Sequence, residues 1–255
     1  MRPAPRLYVN DHLGAGTLAL SSEQSRYLGQ VLRLKEGDDV RVFNARDGEW
    51  IYALSAISRR GAEATPRSQR RVGEASSETP ILFFAPIKRS PTEILVQKAT
   101  ELGVTRLQPV ITARTNRDQL RLDRLESIAV EAAEQSERLT IPSICSPISL
   151  ADMLMDPPRF VFCDEAGDAE NEPWGGEEGR APLAGSAFHH QVEAPKGVLV
   201  GPEGGFTPEE RSSLRACEAA LSVSLGPRIL RAETAAIVAL TLWQNLYGDL
   251  SSISS

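Results

Sequence analysis

A chain of 255 residues, 41% hydrophobic and 24% charged, carries enough apolar material for one large domain or for a medium domain and a small one. No stretch approaches the roughly 18 consecutive apolar residues of a membrane-spanning helix, and the first residues lack the apolar run of a secretory leader, so a cytoplasmic protein with no membrane partner is predicted. Cys145, Cys163 and Cys217 are odd in number and far apart, which fits reduced thiols better than disulfides or a zinc cluster, and with His12, His189 and His190 as the only histidines no metal is predicted.

Residues 1–72 read as several short strands with one helix. Arg6-Leu7-Tyr8-Val9, Thr17 to Leu20, Asp39 to Asn44 and Trp50 to Ile57 have strand character, Glu23 to Leu32 reads as a helix, and Asp47-Gly48 is a hairpin signal. Such a succession suggests a small barrel. These residues hold 12 Lys and Arg against 8 Asp and Glu, a balance of +4 that contrasts with the overall charge of −6. Arg26, Arg33, Arg41, Arg46, Arg59 and Arg60, with Tyr8, Tyr27, Trp50 and Tyr52 among them, are the ingredients of an RNA-binding surface. A barrel this small also needs most of those aromatics inside it.

Polar residues 73–80 read as a linker, and residues 81–250 as a second domain in which strands alternate with helices, the signature of an α/β fold with a largely parallel sheet. Ile81 to Ala85 is its first strand. Ser90-Pro91-Thr92-Glu93 has the spacing of a capping box opening a helix that ends at Gly103. Arg106 to Ile111 is a strand, Leu122 to Leu139 a helix, Ser149 to Met155 a short helix, and Phe160 to Cys163 a strand. Residues 141–195 hold 2 basic against 10 acidic side chains, and 167–195 reads as an irregular, partly disordered acidic loop.

The stretch from Lys196 to Leu246 repeats one device, an apolar strand running into a Gly-Pro loop that opens a helix. In the first copy Gly197 to Val200 is the strand and Gly201-Pro202-Glu203-Gly204-Gly205-Phe206 the loop. Thr207, Pro208 and Glu210 then form a capping box. In the second copy Leu221 to Leu225 is the strand, Gly226 to Thr234 the loop, and Ala235 to Tyr247 a helix that is apolar nearly all round. Neither loop has the terminal Lys-Ser/Thr of a P-loop or the spaced glycines of a dinucleotide fingerprint. Glu203 would repel a phosphate while suiting ribose hydroxyls or a cationic ligand, a description that S-adenosylmethionine meets. Glycine turns that merely close a sheet would account for either loop alone.

The two loop motifs, the second running from Leu225 to Ala235, resemble those of the bacterial 16S ribosomal RNA uracil-N3 methyltransferase family, of the knotted SPOUT class. Arg26 to Asp39, Lys98 to Gly103 and Glu131 to Arg138 are similar to further segments of it, whereas Thr115-Asn116-Arg117-Asp118 departs from its pattern. The resemblance implies a PUA-like RNA-binding barrel in residues 1–72, and in 81–250 a SPOUT α/β domain with a parallel sheet and a trefoil knot. It also implies a homodimer in contact through the last helix, with 16S rRNA of the small ribosomal subunit as partner. Under it, S-adenosylmethionine is held by Leu199, Val200, Gly201, Pro202, Glu203, Gly204, Gly205, Ser224, Leu225, Gly226, Ile229, Leu230, Thr234 and Ala235. Arg26, Arg33, Lys88, Lys98, Arg114 and Arg138 would meet RNA.

Uracil N3 attacks a methyl group well only after losing its proton. An Arg near the carbonyls would stabilise the anion and a carboxylate could accept the proton. Arg231, with Glu203 or Glu233, is the candidate catalytic set; an internal salt bridge from Arg231 to Glu203 or Glu233 is the competing explanation for the same residues. A relative acting on another rRNA or tRNA position, or a non-catalytic RNA-binding factor, would share the fold.

Overall fold

In the computed structural model, which describes residues 4–58, 61–74, 80–115, 120–169, 173–189 and 193–250, the chain forms two units. One comprises Met1–Ser77 with Ala133–Ile141, the other Glu78–Ala132 with Pro142–Ser255. Expectations placed on Arg59, Arg60, Asn116, Arg117, Asp118 and His190, on most of the linker, and on residues 170–172 and 190–192 lie outside the described residues.

The first unit holds β1 (Arg6–Tyr8), β2 (Leu18–Leu20), α1 (Ser22–Arg26), β3 (Asp39–Asn44), β4 (Gly48–Ile57) and β5 (Ala62–Arg71). Their order in the sheet is β1-β3-β4-β5-β2, with β1 parallel to β3 and the other pairs antiparallel. Leu7 on one edge strand and Leu18 and Leu20 on the other share a core with Val40, Val42, Tyr52 and Leu54. The sheet must therefore curl to bring both edges around one interior, and irregular register between β4 and β5 helps it to do so. The Asp47-Gly48 turn forms as predicted: Gly48 has φ +79, and a Cβ there would run into the Arg71 carbonyl.

Two features differ from expectation. The helix predicted over Glu23 to Leu32 stops at Arg26 and widens into a π-type turn over Tyr27–Val31, which keeps Leu28 in the core and leaves Tyr27 and Val31 exposed. β5 gave no sequence signal, because only Ala62 and Ala64 of its residues are buried and Pro66 interrupts it. Proline is tolerated there because β2 pairs only with residues 62–64, leaving the far side of Pro66 without a ladder.

Arg6 ties the unit together. Its Nε donates to Glu49 Oε2 at 2.5 Å, Nη1 to the Ala133 carbonyl at 2.7 Å and Nη2 to the Arg138 carbonyl at 2.8 Å, while the guanidinium lies 3.5 Å from the Phe43 ring centroid. The Arg6 and Glu49 side chains are 2% and 0% exposed. Burial pulls the Arg6 pKa down despite Glu49, but a guanidinium stays charged in any ordinary solution.

The second unit holds β6 (Ile81–Phe84), α2 (Arg89–Glu101), β7 (Arg106–Ile111), α3 (Leu122–Gln135, whose last turn belongs to the first unit), β8 (Ser143–Ile144), β9 (Ile148–Ser149) and α4 (Leu150–Met155). β10 (Phe160–Cys163), α5 (Ala184–His189), β11 (Gly197–Val200), α6 (Pro208–Ala216), β12 (Ala220–Val223) and α7 (Ala232–Tyr247) complete it. The strands are all parallel, in the order β12-β10-β11-β6-β7-β8, with β9 also on β7. Every residue of β6, β10 and β11 is buried, as continuous apolar runs covered on both faces require. From the edge strand β12 the chain returns to mid-sheet, where α7 packs on β11, α2 and α5.

Here too the structure corrects details. α2 begins at Arg89 with Lys88 as N-cap and no capping side chain, so Ser90-Pro91-Thr92-Glu93 lies inside the first turn. Thr92 instead folds its hydroxyl back onto Ile87, accepting from its N–H and donating to its carbonyl. α3 ends at Gln135, before Glu137 adopts a left-handed φ of 63. The second loop is shorter than expected, since α7 starts at Ala232 with Arg231 as N-cap. Within 167–195 the described residues are folded: α5 buries Ala184, Ala187 and Phe188, Tyr247 donates its hydroxyl to the Phe188 carbonyl, and Trp243 Nε1 donates to that of Pro195.

Replacing Arg6 by Leu would leave the Glu49 carboxylate buried with, among the described residues, Arg41 and Arg70 as its remaining ion-pair partners, each at 3.5 Å. A loss of about 3 kcal/mol is expected, the low end for breaking a buried pair. It would be measured as a lowered urea midpoint for the first unit.

Candidate functional site

Three neighbouring strands, β10, β11 and β12, end on the same side of the sheet, and the segments leaving their carboxyl ends build the site. This is where ligands of open parallel sheets bind.

After β11 the chain turns through Gly201 to Phe206, closed by the Gly205 N–H donating to the Pro202 carbonyl at 2.9 Å, with Gly205 at φ +67. A Cβ on Gly201 would lie 2.5 Å from the Phe206 ring, which packs edge-on against Phe162. The predicted capping box forms, Thr207 and Glu210 each accepting the other's backbone N–H. Glu210 Oε1 also accepts the Ala113 N–H at 2.7 Å, and Arg114 Nη1 donates to the Gly204 carbonyl at 2.5 Å, so the loop is clipped to the segment after β7. After β12, Ser224 exchanges backbone hydrogen bonds with Pro182 and Ala184 and accepts the Gly226 N–H on its hydroxyl. Gly226, at φ +111, then turns the chain toward Arg231.

Between these two loops lies a cleft of ≈490 Å³. Of the residues expected to hold a cofactor, Val200, Gly201, Pro202, Glu203, Leu225, Gly226, Ile229, Leu230 and Ala235 line it, together with the candidate catalytic residues Arg231 and Glu233. Leu199 is fully buried in the core, Ser224 stands behind the wall, and Thr234 is exposed on α7. Gly204 and Gly205 face a second cleft of ≈640 Å³, lined also by Arg114, Phe206 and residues 164–169. Among the described residues, Arg231 forms no ion pair with Glu203 or Glu233.

The chain after β10 contributes what sequence reading missed. Asp164, 2% exposed in its side chain, accepts from Arg211 Nε at 2.7 Å and Arg215 Nε at 2.6 Å. Arg211 also donates to the carbonyls of Ala166 and Gly167, Arg215 to that of Gly179, and both reach Asp168. Hydrogen bonding to Arg215 holds the Asp168 carboxyl below its ordinary pKa. Glu165 and Trp174 line both clefts. Burial pushes the Glu165 pKa up, and the Asp164 charge adds to the rise against the opposing pull of Arg211. Burial likewise raises the Cys163 thiol, which therefore lines the cleft as a neutral group.

The residues expected to meet RNA are divided between the two units. Lys88, the N-cap of α2, reaches the first cleft and Arg114 the second. Lys98 pairs with Glu101 at 2.8 Å. Arg26 and Arg33 are exposed in the first unit, where Arg138 donates to the Thr140 hydroxyl at 2.8 Å. The missed residues sit in a stretch without periodicity; the only hint was Asp164-Glu165 directly after an apolar strand.

A family profile described as an RNA methyltransferase domain matches residues 75–244, and one described as an RNA methyltransferase PUA domain matches residues 20–67. The chain is 34% identical over 237 residues to a ribosomal RNA small subunit methyltransferase E of Rickettsia conorii, covering 92% of this chain and 93% of that one. Its counterpart in Synechocystis is 35% identical, covering 88% and 71%. The crystal structure of the Neisseria gonorrhoeae protein of that name, bound to S-adenosyl methionine, superposes with a TM-score of 0.79 at 30% identity, covering 97% and 99%.

Because the fold favours the protonated form of Glu165, that carboxyl's contribution to stability is complete below its ordinary pKa and is lost as pH rises through the raised value. Glu165→Gln removes the loss. The melting temperature of the variant relative to the native protein should accordingly increase between pH 4 and pH 8, a trend that calorimetry at matched ionic strength would read.

Proposed function

Since the chain belongs to the ribosomal RNA small subunit methyltransferase E family, we propose that it transfers a methyl group from S-adenosylmethionine to N3 of a specific uridine in 16S rRNA of the small ribosomal subunit. The observation that carries this reading is the first cleft, which both glycine-proline loops wall within a chain similar along nearly its whole length to a cofactor-bound relative.

The residues present suit that cofactor. The cleft falls within the ~300–1,000 Å³ range of small-molecule sites. Its apolar walls, Val200, Leu225, Leu230 and Ala235, suit an adenosine, and backbone groups of the two loops supply polar contacts. Glu203 and Glu233 offer carboxylates to hydroxyl and cationic groups. When bound, S-adenosylmethionine supplies an electrophilic methyl on a sulfonium. This chain's own part is to hold the uracil edge in line, at a gain of about 7–11 kcal/mol for well-oriented groups, and to stabilise negative charge on its carbonyls. Arg231, exposed and unpaired among the described residues at the start of α7, is the group for the second task.

The same proposal includes the trefoil threading of the loops, a homodimer and a cytoplasmic location. The return of the chain from edge strand β12 to mid-sheet α7 supports the first. Ile237, Val238 and Leu242, only half-buried in one chain, support the second. No helix among the described residues is long and apolar enough to cross a membrane, which is compatible with the third. Arg26, Arg33, Lys88, Lys98, Arg114 and Arg138 stand as proposed RNA contacts.

Incubating the protein with labelled S-adenosylmethionine and small subunits lacking their native methylations, followed by nucleoside digestion, tests the reaction: label is expected in 3-methyluridine at one 16S position. Label in another nucleoside would retain the methyltransferase and discard the acceptor. Arg231→Ala should leave the cofactor Kd within twofold by calorimetry and lower single-turnover transfer by about 100-fold; parallel loss of both would make Arg231 a structural residue.

A further inference from the structure

Methyl transfer requires donor and acceptor on either side of a shared boundary. Among the described residues, three line both clefts: Asp164, Glu165 and Trp174. Asp164 is buried and spent on Arg211 and Arg215. The boundary is therefore left to a carboxyl and an indole. Resting on the reading above, we infer that the acceptor pyrimidine enters through the second cleft, its face on Trp174 and its reacting edge at the boundary with the first cleft, which Arg231 lines, and that Glu165 is the carboxylate that takes its N3 proton.

Trp174 is built for display. Its backbone is left-handed, φ 55 and ψ 27, a conformation that costs a non-glycine residue about 1–3 kcal/mol and persists where surrounding structure enforces it. The enforcing contacts are visible: the Gly167 N–H donates to the Trp174 carbonyl and the Ala169 N–H to the Gly175 carbonyl, both at 2.8 Å. A Cβ on Gly167 would collide with the Gly175 and Gly176 carbonyls, so the two strands of this turn can close only on glycine. What the turn presents is a tryptophan, 44% exposed, that lines both clefts. Gly205 lies beside it: a Cβ there would stand 3.7 Å from the Trp174 ring and 3.3 Å from Glu165 Oε1. The first loop thus keeps the space between indole and carboxyl clear, on the face where a planar base would enter.

The other carboxylates are less well placed. Glu203 is exposed, and Glu203 and Glu233 line only the first cleft. Asp168 lines only the second and is held by Arg211 and Arg215. Glu165 forms no ion pair among the described residues, and burial makes it a stronger base than a solvated carboxylate. Besides the carboxylates just named, the charged and titratable groups sharing the clefts with it are Asp164, Cys163, Lys88, Arg114, Arg211, Arg215, Arg228 and Arg231. In the reaction a Glu165 oxygen accepts the N3 proton, and the freed electron pair on N3 forms the new bond to the methyl carbon. The electrons of that carbon's former bond stay on sulfur in the spent cofactor, and Glu165 then releases its proton to water.

The test uses full-length Glu165→Gln, Trp174→Ala and Trp174→Phe with undermethylated small subunits. Glu165→Gln should bind S-adenosylmethionine within twofold of the native protein by calorimetry, transfer methyl about 10²- to 10⁴-fold more slowly at pH 7.5, and lose the acid limb of the rate profile. Trp174→Ala should lower kcat/KM about tenfold, as expected for one lost stacking partner, with recovery in Trp174→Phe. In cofactor-free protein, subunits should quench tryptophan emission in the native chain and not in Trp174→Phe. Native transfer rates in Glu165→Gln, or cofactor affinity falling together with rate, would overturn the assignment of the base. Unchanged kcat/KM in Trp174→Ala, or equal quenching in Trp174→Phe, would overturn that of the base-stacking surface. If the native protein itself forms no 3-methyluridine, the proposed reaction fails and takes this inference with it; if it does, failure of the variants counts against the inference alone.

Discussion

One buried carboxylate, Asp164, sits where the end of β10, helix α6 and the acidic segment beyond β10 would otherwise come apart. It is held by two guanidiniums of the same helix, one turn apart, and each of them reaches on to carbonyls of that segment. A charge so placed is tolerated only with close partners and satisfied lone pairs. Both conditions are met, and the result is a cross-brace that shapes the two clefts at once. It also offsets acidic charge beside the clefts, since α6 brings Arg211 and Arg215 to both Asp164 and Asp168.

Around this brace the three strand exits divide the work. The β11 exit supplies a tight turn whose glycines make room, Gly201 for Phe206 and Gly205 for the boundary between clefts. The β12 exit supplies the opposite wall and delivers Arg231 at a helix start, where backbone N–H groups add positive potential. The β10 exit supplies both the carboxyl of Glu165 and the indole of Trp174. Because the strands beneath are parallel and hydrogen-bonded side by side, these exits cannot shift independently, and the reacting groups inherit the stiffness of the sheet.

What could be read in advance came from local pattern. The apolar runs of β6, β10 and β11 and the Thr207 box announce themselves within a few residues, and each is found where expected. The two loop motifs were long enough to mark the first cleft. Ser90 failed as a cap because Lys88 opens the helix without any side-chain cap, so the spacing of a capping box was present with nothing to do. α7 gained a turn for the same reason. β5 was invisible because its residues face solvent and only pairing makes them a strand. Glu165 and Trp174 were invisible for a deeper reason: nothing adjacent to them in sequence resembles a site, and their meaning comes from Gly205, distant in the chain and adjacent in space.

The first unit borrows residues from far along the chain. Arg6 donates to carbonyls 127 and 132 residues downstream, Arg41 pairs with Glu137, and Phe43 packs under Ala133 and Leu139. A chain emerging from the ribosome at about 5–20 residues per second must therefore hold its amino-terminal sheet unfinished for roughly 6–25 s. Throughout that interval Phe43 lacks the cover of Ala133 and Leu139, and the Arg6 guanidinium lacks its two carbonyl acceptors. The newborn protein is thus most vulnerable to proteases and chaperones in the part made first, and an enzyme assigned to ribosomes depends on their pace to complete its own fold.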